Sequence, residues 1–300
     1  QLMPTAPQNL QQHPVMHKDE FQQLAGNNKD PHIGLIVRSG GSSGKTAYSQ
    51  FRWADYHKQM NETSHGLVAA GLDPKHDVVM NLFAAGYMYG SFISFWTILE
   101  YLGVQQLPMG MVPEYDLIVE EIIQHNVTAV VGMTPHLLAL LSDQRERLKA
   151  YGKLKKVYYG GEGLSSAQKN FLIEQCGVEV VRSVTYGSND AGPMGYQCEH
   201  STGGIHHLFS NLQQLEILKF DVDEPVEEGE VGRLIFSSRA RTSPEVLRYE
   251  IGDLGRWVSG ECACGRQDLR FELMGRLGDV FKASSPFLNY ANFVKVLSES

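Results

Sequence analysis

The chain is poor in cysteine, in runs of basic charge and in unbroken apolar sequence. Four cysteines occur among 300 residues, two of them in the tripeptide Cys262-Ala263-Cys264. That placement excludes a disulfide framework and makes a reducing, cytoplasmic setting the expectation. No Lys/Arg-rich tract appears and the formal net charge is -8, which argues against nucleic acid or an anionic membrane surface as a partner. The most apolar window, GSFISFWTILEYLGVQQL, carries Glu100 and is broken at Gly103. It is too short and too polar to span a bilayer and reads as a buried helix. No secretory pattern of charge, apolar stretch and small residues opens the chain, and it starts on Gln1 rather than Met, so a processed or partial chain is expected. Internal repeats are lacking, and the only biased segment is the Gln-, Pro- and Asn-rich stretch 1–30.

What is present is enough chain for a large core, in one large α/β unit or two packed ones. Residues 1–30 read as a lead-in, in which HPVMHKDEFQQL docks as a short helix. From 31 to 204 apolar strands alternate with helical periodicity. Strands are expected at HIGLIV, DVVMNLF, GVQQLP, AVVGM and KVYYGG, with helices at 48–70, 91–102, 114–125, 135–149 and 165–175. Such alternation predicts a layered, mostly parallel sheet. From 205 to 280 the texture changes to short β-rich runs, LQQLEILKF, VGRLIFSS and RWVSG, separated by turn signals, so a smaller β-dominated subdomain is expected there. The fold class is therefore α/β, with a parallel βα subdomain followed by a β-rich one.

The stretch VRSGGSSGKTAY follows the first strand. A Walker A loop needs Gly at the position held by Ser39, and no convincing acidic Walker B strand accompanies it, so a P-loop phosphotransferase is disfavoured. The physical content survives the mismatch. Backbone N–H groups, hydroxyls and the Lys45 ammonium on a Gly/Ser loop suit a polyphosphate.

Further stretches occur in a fixed order after SGGSSGKT (39–46): GGEGLS (160–165), TYGSNDAG (185–192), GEVGRLIFSS (229–238), LRYEIGDLG (247–255), CACGR (262–266) and GRLGDVFK (275–282). This series resembles the motifs of adenylate-forming, acyl-activating enzymes, and most closely those of the phenylacetate–coenzyme A ligase branch. The resemblance implies that Ser39, Gly40, Gly41, Ser42, Ser43, Gly44, Lys45 and Thr46 hold the β- and γ-phosphates of ATP, with Lys45 steadying the pyrophosphate that leaves. It implies that Tyr186 lies against adenine, that Gly187 permits close backbone approach beside Ser188, and that Asp190 helps to bind Mg2+. Asn189 stands where the family carries a hydroxyl residue, and Asp190 where it carries Glu. Asp253 would accept hydrogen bonds from the ribose hydroxyls, Arg276 would contact ribose or phosphate, and Gly161 and Glu162 would line the adenine and acyl pocket. Tyr87, Tyr89, Phe92 and His136, in AAGYMYGSF and MTPHLL, are the acyl-pocket candidates.

Cys198, Cys262 and Cys264 with one histidine would make a closed tetrahedral Zn2+ site, structural because no position stays open for substrate. His200, His206 and His207 are all near Cys198 in sequence, and His206 is the favoured fourth ligand. The resemblance adds that relatives carry a metal cluster at comparable positions. Cys176, alone in a helix, reads as core. The family continues past its last GR motif into a small mobile domain that brings a lysine to the reacting carboxylate. This chain stops soon after that motif, so 281–300 reads as a hinge and remnant, with the mobile domain expected to be absent. The activity implied is ATP-dependent conversion of a small aryl or fatty carboxylic acid to an acyl-adenylate, for transfer to a thiol. Coenzyme A is the favoured acceptor, a protein thiol the alternative, and a non-catalytic nucleotide-binding or carrier-docking module the reading from a different class. The composition leaves room for a homodimer.

Overall fold

The computed structural model describes residues 10–39, 47–277, 280–281 and 288–289. Its first helix, α1 (Lys18–Asn27), buries Phe21 and Ala25, and the Phe21 ring lies 5.4 Å from that of Tyr249. The lead-in is thus fastened to the body by an apolar stripe of helical spacing.

Strands β1 (Ile33–Ser39) and β2 (Ala47–Arg52) pair antiparallel as a ribbon of their own. Two expectations fail here. HIGLIV does not enter the parallel sheet, and residues 48–52 are strand rather than the start of a helix; α2 begins at Trp53 and runs to Ala69. Burial alternates along β2, with Ala47, Ser49 and Phe51 buried and Tyr48, Gln50 and Arg52 less so, which is the strand period.

The parallel sheet has the order β4-β3-β5-β6-β7, where β3 is Val78–Leu82, β4 Gln105–Leu107, β5 Ala129–Met133, β6 Lys156–Gly160 and β7 Val180–Ser183. Both faces are covered, so its strands read as continuous apolar runs. Val79, Val131 and Tyr158 pack on one face against α2 and α3 (Gly90–Leu102). Met80, Val130, Val157 and Val181 pack on the other with α4 (Tyr115–Gln124), α5 (Thr134–Asp143), α6 (Arg145–Tyr151) and α7 (Ser166–Cys176). The helix expected at 135–149 is broken at Gln144 into α5 and α6. The apolar window is only half sunk: Phe95, Ile98 and Leu99 are buried, while Trp96 on the outer face of α3 is 51% exposed. Cys176 is buried in the core beside Leu172. Among the described residues no helix is long and apolar enough to cross a membrane.

A second, antiparallel sheet has the order β11-β12-β13-β14-β10-β9-β8. Its strands are β8 (Tyr186–Ser188), β9 (Gly192–Tyr196), β10 (Ile205–Leu208), β11 (Gln213–Leu218), β12 (Gly232–Ser238), β13 (Tyr249–Val258) and β14 (Arg270–Arg276). It therefore takes its strands from 186 onward, ahead of the change of texture at 205. Gly187, Gly192, Pro193 and Gly195 dilute β8 and β9 below the usual strand composition, which hides them in the sequence.

Chain order reverses between β3 and β5, because β3 is followed by β4 on one side and β5, β6 and β7 continue on the other. In open α/β sheets ligands bind beyond the carboxyl ends of the strands at such a reversal.

Candidate functional site

The loops leaving the carboxyl ends of β3, β5, β6 and β7 define the crevice. After β3, buried Asn81 accepts from the Phe83 N–H (3.1 Å) and donates to the Phe92 carbonyl (3.1 Å), tying the strand end to the first turn of α3. Between them Tyr87 and Met88 both have positive φ, 50° and 62°, backbone that is costly for residues with a side chain. The Met88 carbonyl accepts from the Arg38 N–H (2.9 Å), and the Asn189 amide donates to the Arg38 carbonyl (3.3 Å). A Cβ on Gly90 would sit 3.0 Å from Val37. The strand that leads into the Gly/Ser loop is thereby pinned between the β3 loop and the segment 186–190. Ser39 ends β1 opposite Ala47; Gly40, Gly41, Ser42, Ser43, Gly44, Lys45 and Thr46 lie outside the described residues.

Tyr186, Asp253 and Arg276 come together from three strands. The Tyr186 hydroxyl donates to Asp253 Oδ2 at 2.7 Å, and Arg276 Nε lies 3.3 Å from Asp253 Oδ1. Asp253 and Arg276 are direct cross-strand partners on β13 and β14. Burial raises the Asp253 carboxyl above its ordinary value, with Tyr186 and Arg276 opposing that shift. Burial, reinforced by the Asp253 charge, also raises the Tyr186 phenol, which stays protonated as a donor. Two of the carboxylate's roughly four lone-pair positions are used, leaving room for two more donors. The Tyr186 ring is held by His206, Phe236 and Phe271, at 5.9, 6.1 and 5.8 Å.

The neighbouring candidates have more local duties. A Cβ on Gly187 would lie 2.9 Å from the Gly192 carbonyl, so the close approach it permits is that of β9. Ser188 Oγ accepts from the Ala191 N–H (3.0 Å) and closes the turn. Asp190 departs from its expected role as a Mg2+ ligand. It is 7% exposed, accepts from Ser49 Oγ (2.7 Å) and Gln22 Nε2 (3.4 Å) on one oxygen and from the Tyr249 hydroxyl (2.9 Å) on the other. The buried Arg241 guanidinium donates to the main-chain carbonyls of Asn189, Asp190 and Gln50 beside it. A carboxylate enclosed in this way is the hub of a structural network rather than an open metal ligand.

The 160–163 loop is held through its backbone. Thr134 Oγ1 donates to the carbonyls of Gly160 (3.2 Å) and Glu162 (2.6 Å), Gly161 has φ +87°, and the Glu162 residue is exposed. The acyl-pocket candidates do not form one wall. Tyr87 is 85% exposed, Phe92 packs on the α3 face, and His136 lies on the opposite face with its ring 5.6 Å from Tyr115. His136 Nε2 is buried without a partner, and burial lowers the ring's pKa.

Away from the crevice, one ligand atom each from Cys198, His207, Cys262 and Cys264 lies within 4.8 Å of the others. Cys198 Sγ is 3.6 Å from Cys262 Sγ, and Cys264 Sγ is 3.6 Å from His207 Nε2. A tetrahedral zinc with Zn–S of about 2.3 Å and Zn–N of about 2.0 Å has S–S edges of roughly 3.8 Å and S–N edges of roughly 3.6 Å, so the set fits. The favoured histidine was wrong by one position. His206 turns its ring to Tyr186 and Phe271 and its Nδ1 to the Gly204 carbonyl (2.8 Å), while His207 faces the thiols and stacks on Tyr196 at 5.1 Å. Consecutive strand residues point to opposite faces, and which of the two faces the cysteines is set by pairing with β9 and β14.

Comparison with known proteins accords with this geometry. No family model matches the chain. Over 257 residues it is 28% identical to the phenylacetate-coenzyme A ligase of Thermus thermophilus, an alignment covering 83% of this chain and 56% of that protein. It superposes on 2-hydroxyisobutyryl-CoA ligase, solved in an open conformation with 2-HIB-AMP and CoA, with a TM-score of 0.82 at 19% identity, covering 96% of this chain and 69% of that one. The chain is similar in sequence to a phenylacetate-coenzyme A ligase and shares its fold with 2-hydroxyisobutyryl-CoA ligase. ATP-bound MatB from Rhodopseudomonas palustris shares the fold at a TM-score of 0.65 and 13% identity, over 87% of this chain and 51% of its own. The chain thus spans little more than half the length of the curated relative it matches.

The residues that the motifs alone failed to indicate are Ser49 and Arg241, which meet at Asp190. Neither lies in a spacing pattern, and both are distant in sequence from what they touch, so only tertiary contact reveals them.

Proposed function

We propose that this chain is the nucleotide-binding body of an ATP-dependent acid–thiol ligase. A carboxylate oxygen attacks the α-phosphorus of ATP, the bond to the bridging oxygen breaks, and pyrophosphate leaves. The acyl- or aryl-adenylate then reacts at its carbonyl carbon with a thiol that loses its proton, and AMP departs. Coenzyme A is the favoured acceptor, and the substrate class is a small aryl or fatty carboxylic acid. The observation that carries the reading is the Tyr186–Asp253–Arg276 constellation, in the segment that follows the carboxyl end of β7 and whose Asn189 reaches Arg38 at the end of β1. One relative is a phenylacetate-coenzyme A ligase, and 2-hydroxyisobutyryl-CoA ligase was solved in complex with 2-HIB-AMP and CoA, which supports it.

In this reading Asp253 accepts from the ribose hydroxyls through its unused lone pairs, and Arg276 holds the carboxylate in place from the cross-strand position. Tyr186, fixed on three sides, presents a flat wall to adenine, with Gly161 and Glu162 on the loop opposite. Ser39 through Thr46, with Lys45, stabilise the departing pyrophosphate. Asp190, with both oxygens engaged by Ser49, Gln22 and Tyr249, does not fit Mg2+. Cys198, His207, Cys262 and Cys264 would hold Zn2+, which supplies cross-linking of the β-rich sheet and no open coordination position.

The test is carboxylate-dependent exchange of pyrophosphate into ATP, run over a panel of aryl and fatty acids with and without coenzyme A. Exchange should appear with a subset of acids and drop by about 10²-fold or more in Lys45→Ala, the scale expected when a donor to a developing anion is lost. Exchange with no acyl-coenzyme A product would redirect the acceptor to a protein thiol. ATP or AMP binding without exchange by any acid, in protein carrying its native flanking sequence, would replace the reading with a non-catalytic nucleotide-binding module.

A further inference from the structure

His206 supports Tyr186 and adjoins the cysteine centre in sequence without supplying it a ligand atom. Its residue is 4% exposed, and its ring stacks on Phe271 (6.0 Å, 25°) and leans on Tyr186 (5.9 Å, 54°). The next residue, His207, faces the thiols with Nε2 3.6 Å from Cys264 Sγ. One planar peptide unit therefore joins a side chain of the cysteine centre to a side chain that supports the nucleotide wall. Tyr186 in turn donates to Asp253, so the contact chain runs from the sulfur cluster through His207, His206 and Tyr186 to Asp253.

This chain has little slack. Strand β10 is clamped on both edges, with His206 opposite Phe271 and His207 opposite Tyr196. A Cβ on Gly195 would lie 2.9 Å from the Phe271 ring and 3.0 Å from the His207 carbonyl, so β9, β10 and β14 are in close contact beneath Tyr186. His206 Nδ1 donates to the Gly204 carbonyl at 2.8 Å, which fixes the ring's orientation. Close-packed elements of this kind transmit a shift rather than absorbing it.

We propose that His206 couples the Cys198–His207–Cys262–Cys264 centre to the nucleotide wall, so that a bound metal ion strengthens nucleotide binding and bound nucleotide strengthens metal retention. His206 is a positioning residue: it acts on nucleotide through Tyr186 and on the metal through the backbone of His207. The inference rests on the nucleotide reading of Tyr186 and Asp253. Coupling between binding sites is reciprocal by thermodynamic linkage, so the two effects must have the same factor.

The experiment compares zinc-loaded and chelator-treated protein, wild type and His206→Ala, with AMP as the probe. In wild type, chelation should weaken the AMP Kd by about tenfold, within the usual range of site-to-site coupling. AMP should raise zinc affinity by the same factor in competition with a chromophoric chelator. His206→Ala should retain zinc while the coupling falls below about twofold, and His206→Phe, which restores a ring against Tyr186, should recover it. Where the Ala variant does not fold, His206→Gln, of similar size but without the ring, takes its place. Hydrogen exchange of the amides in 186–188 and 249–258 is followed in parallel and should accelerate on chelation more in wild type than in His206→Ala. A zinc-loaded protein that binds no AMP would sink the nucleotide reading, and the exchange data would still decide the coupling. The proposal is overturned if the cluster binds no zinc, if chelation changes neither AMP affinity nor exchange, or if the ringless variant couples as wild type does.

Discussion

Asp190 receives hydroxyl protons from Ser49 and Tyr249 on its two oxygens, with the Arg241 guanidinium bound to the main chain alongside. Removing the carboxylate strands both hydroxyls and leaves a buried cation without its nearby negative charge. Asp190→Ala should therefore cost about 3–5 kcal/mol, read as a lower urea midpoint at unchanged m-value. An open metal ligand would behave oppositely, since its removal relieves charge and leaves stability nearly unchanged. At His136 the direction of the pH effect follows from burial, which holds the ring's pKa below the ordinary histidine value of about 6.5. The unfolded chain then takes up the proton more readily than the folded one, so its contribution to stability is complete above pH 6.5 and is lost as pH falls below that value. Urea midpoints measured between pH 7.5 and pH 5 should decline, and His136→Leu should flatten that decline. The motif residues Tyr186 and Asp253 were legible one at a time from their local context. That they touch was not, because Asp253 is 67 positions downstream of Tyr186 and the contact joins β13 and β8, strands that are not neighbours in the sheet.

At the scale of elements, the helices on the parallel sheet were readable where apolar residues recurred at helical spacing. α7 is further held at its start: Ser165 Oγ accepts from the Gln168 N–H (3.2 Å), and Gln168 Oε1 accepts from the Ser165 N–H (2.9 Å), a reciprocal capping box. Ser165→Ala should cost about 1 kcal/mol, seen as a fall of a few degrees in Tm. β2 was misread because Tyr48 to Arg52 precede a long helix without a break, and only the partner strand β1 reveals the period-two burial. β8 and β9 were missed for the opposite reason. Their glycines are needed for close packing: a Cβ on Gly187 meets the Gly192 carbonyl at 2.9 Å. Gly187→Ala should push β8 away from β9 and disturb Tyr186, raising the AMP Kd more than it lowers Tm; equal effects on a conservative surface Gly→Ala control would contradict this account.

For the molecule as a whole, the cysteine centre joins three separate parts of the β-rich sheet: Cys198 after β9, His207 on β10, and the Cys262–Cys264 loop between β13 and β14. Structural zinc is worth roughly 10–16 kcal/mol in small peptides, against a typical net domain stability of about 5–15 kcal/mol. Metal analysis should find roughly one zinc per chain, closing a four-ligand set. Chelation or Cys262→Ser should lower Tm and release the antiparallel sheet before the parallel one, visible as faster hydrogen exchange in 192–208 than in 129–133. Unchanged zinc content in Cys262→Ser would remove Cys262 from the ligand set. The sequence by itself determined the fold class, the βα alternation and the order of the SGGSSGKT, TYGSNDAG, LRYEIGDLG and cysteine motifs, because periodicity and local motifs are properties of neighbouring residues. Tertiary structure alone decided that Asp190 is enclosed, that His207 rather than His206 faces the thiols, and that the Gly/Ser loop starts beside residues 88 and 189. Each of those depends on strand pairing and packing between segments far apart in the chain, which no local pattern encodes.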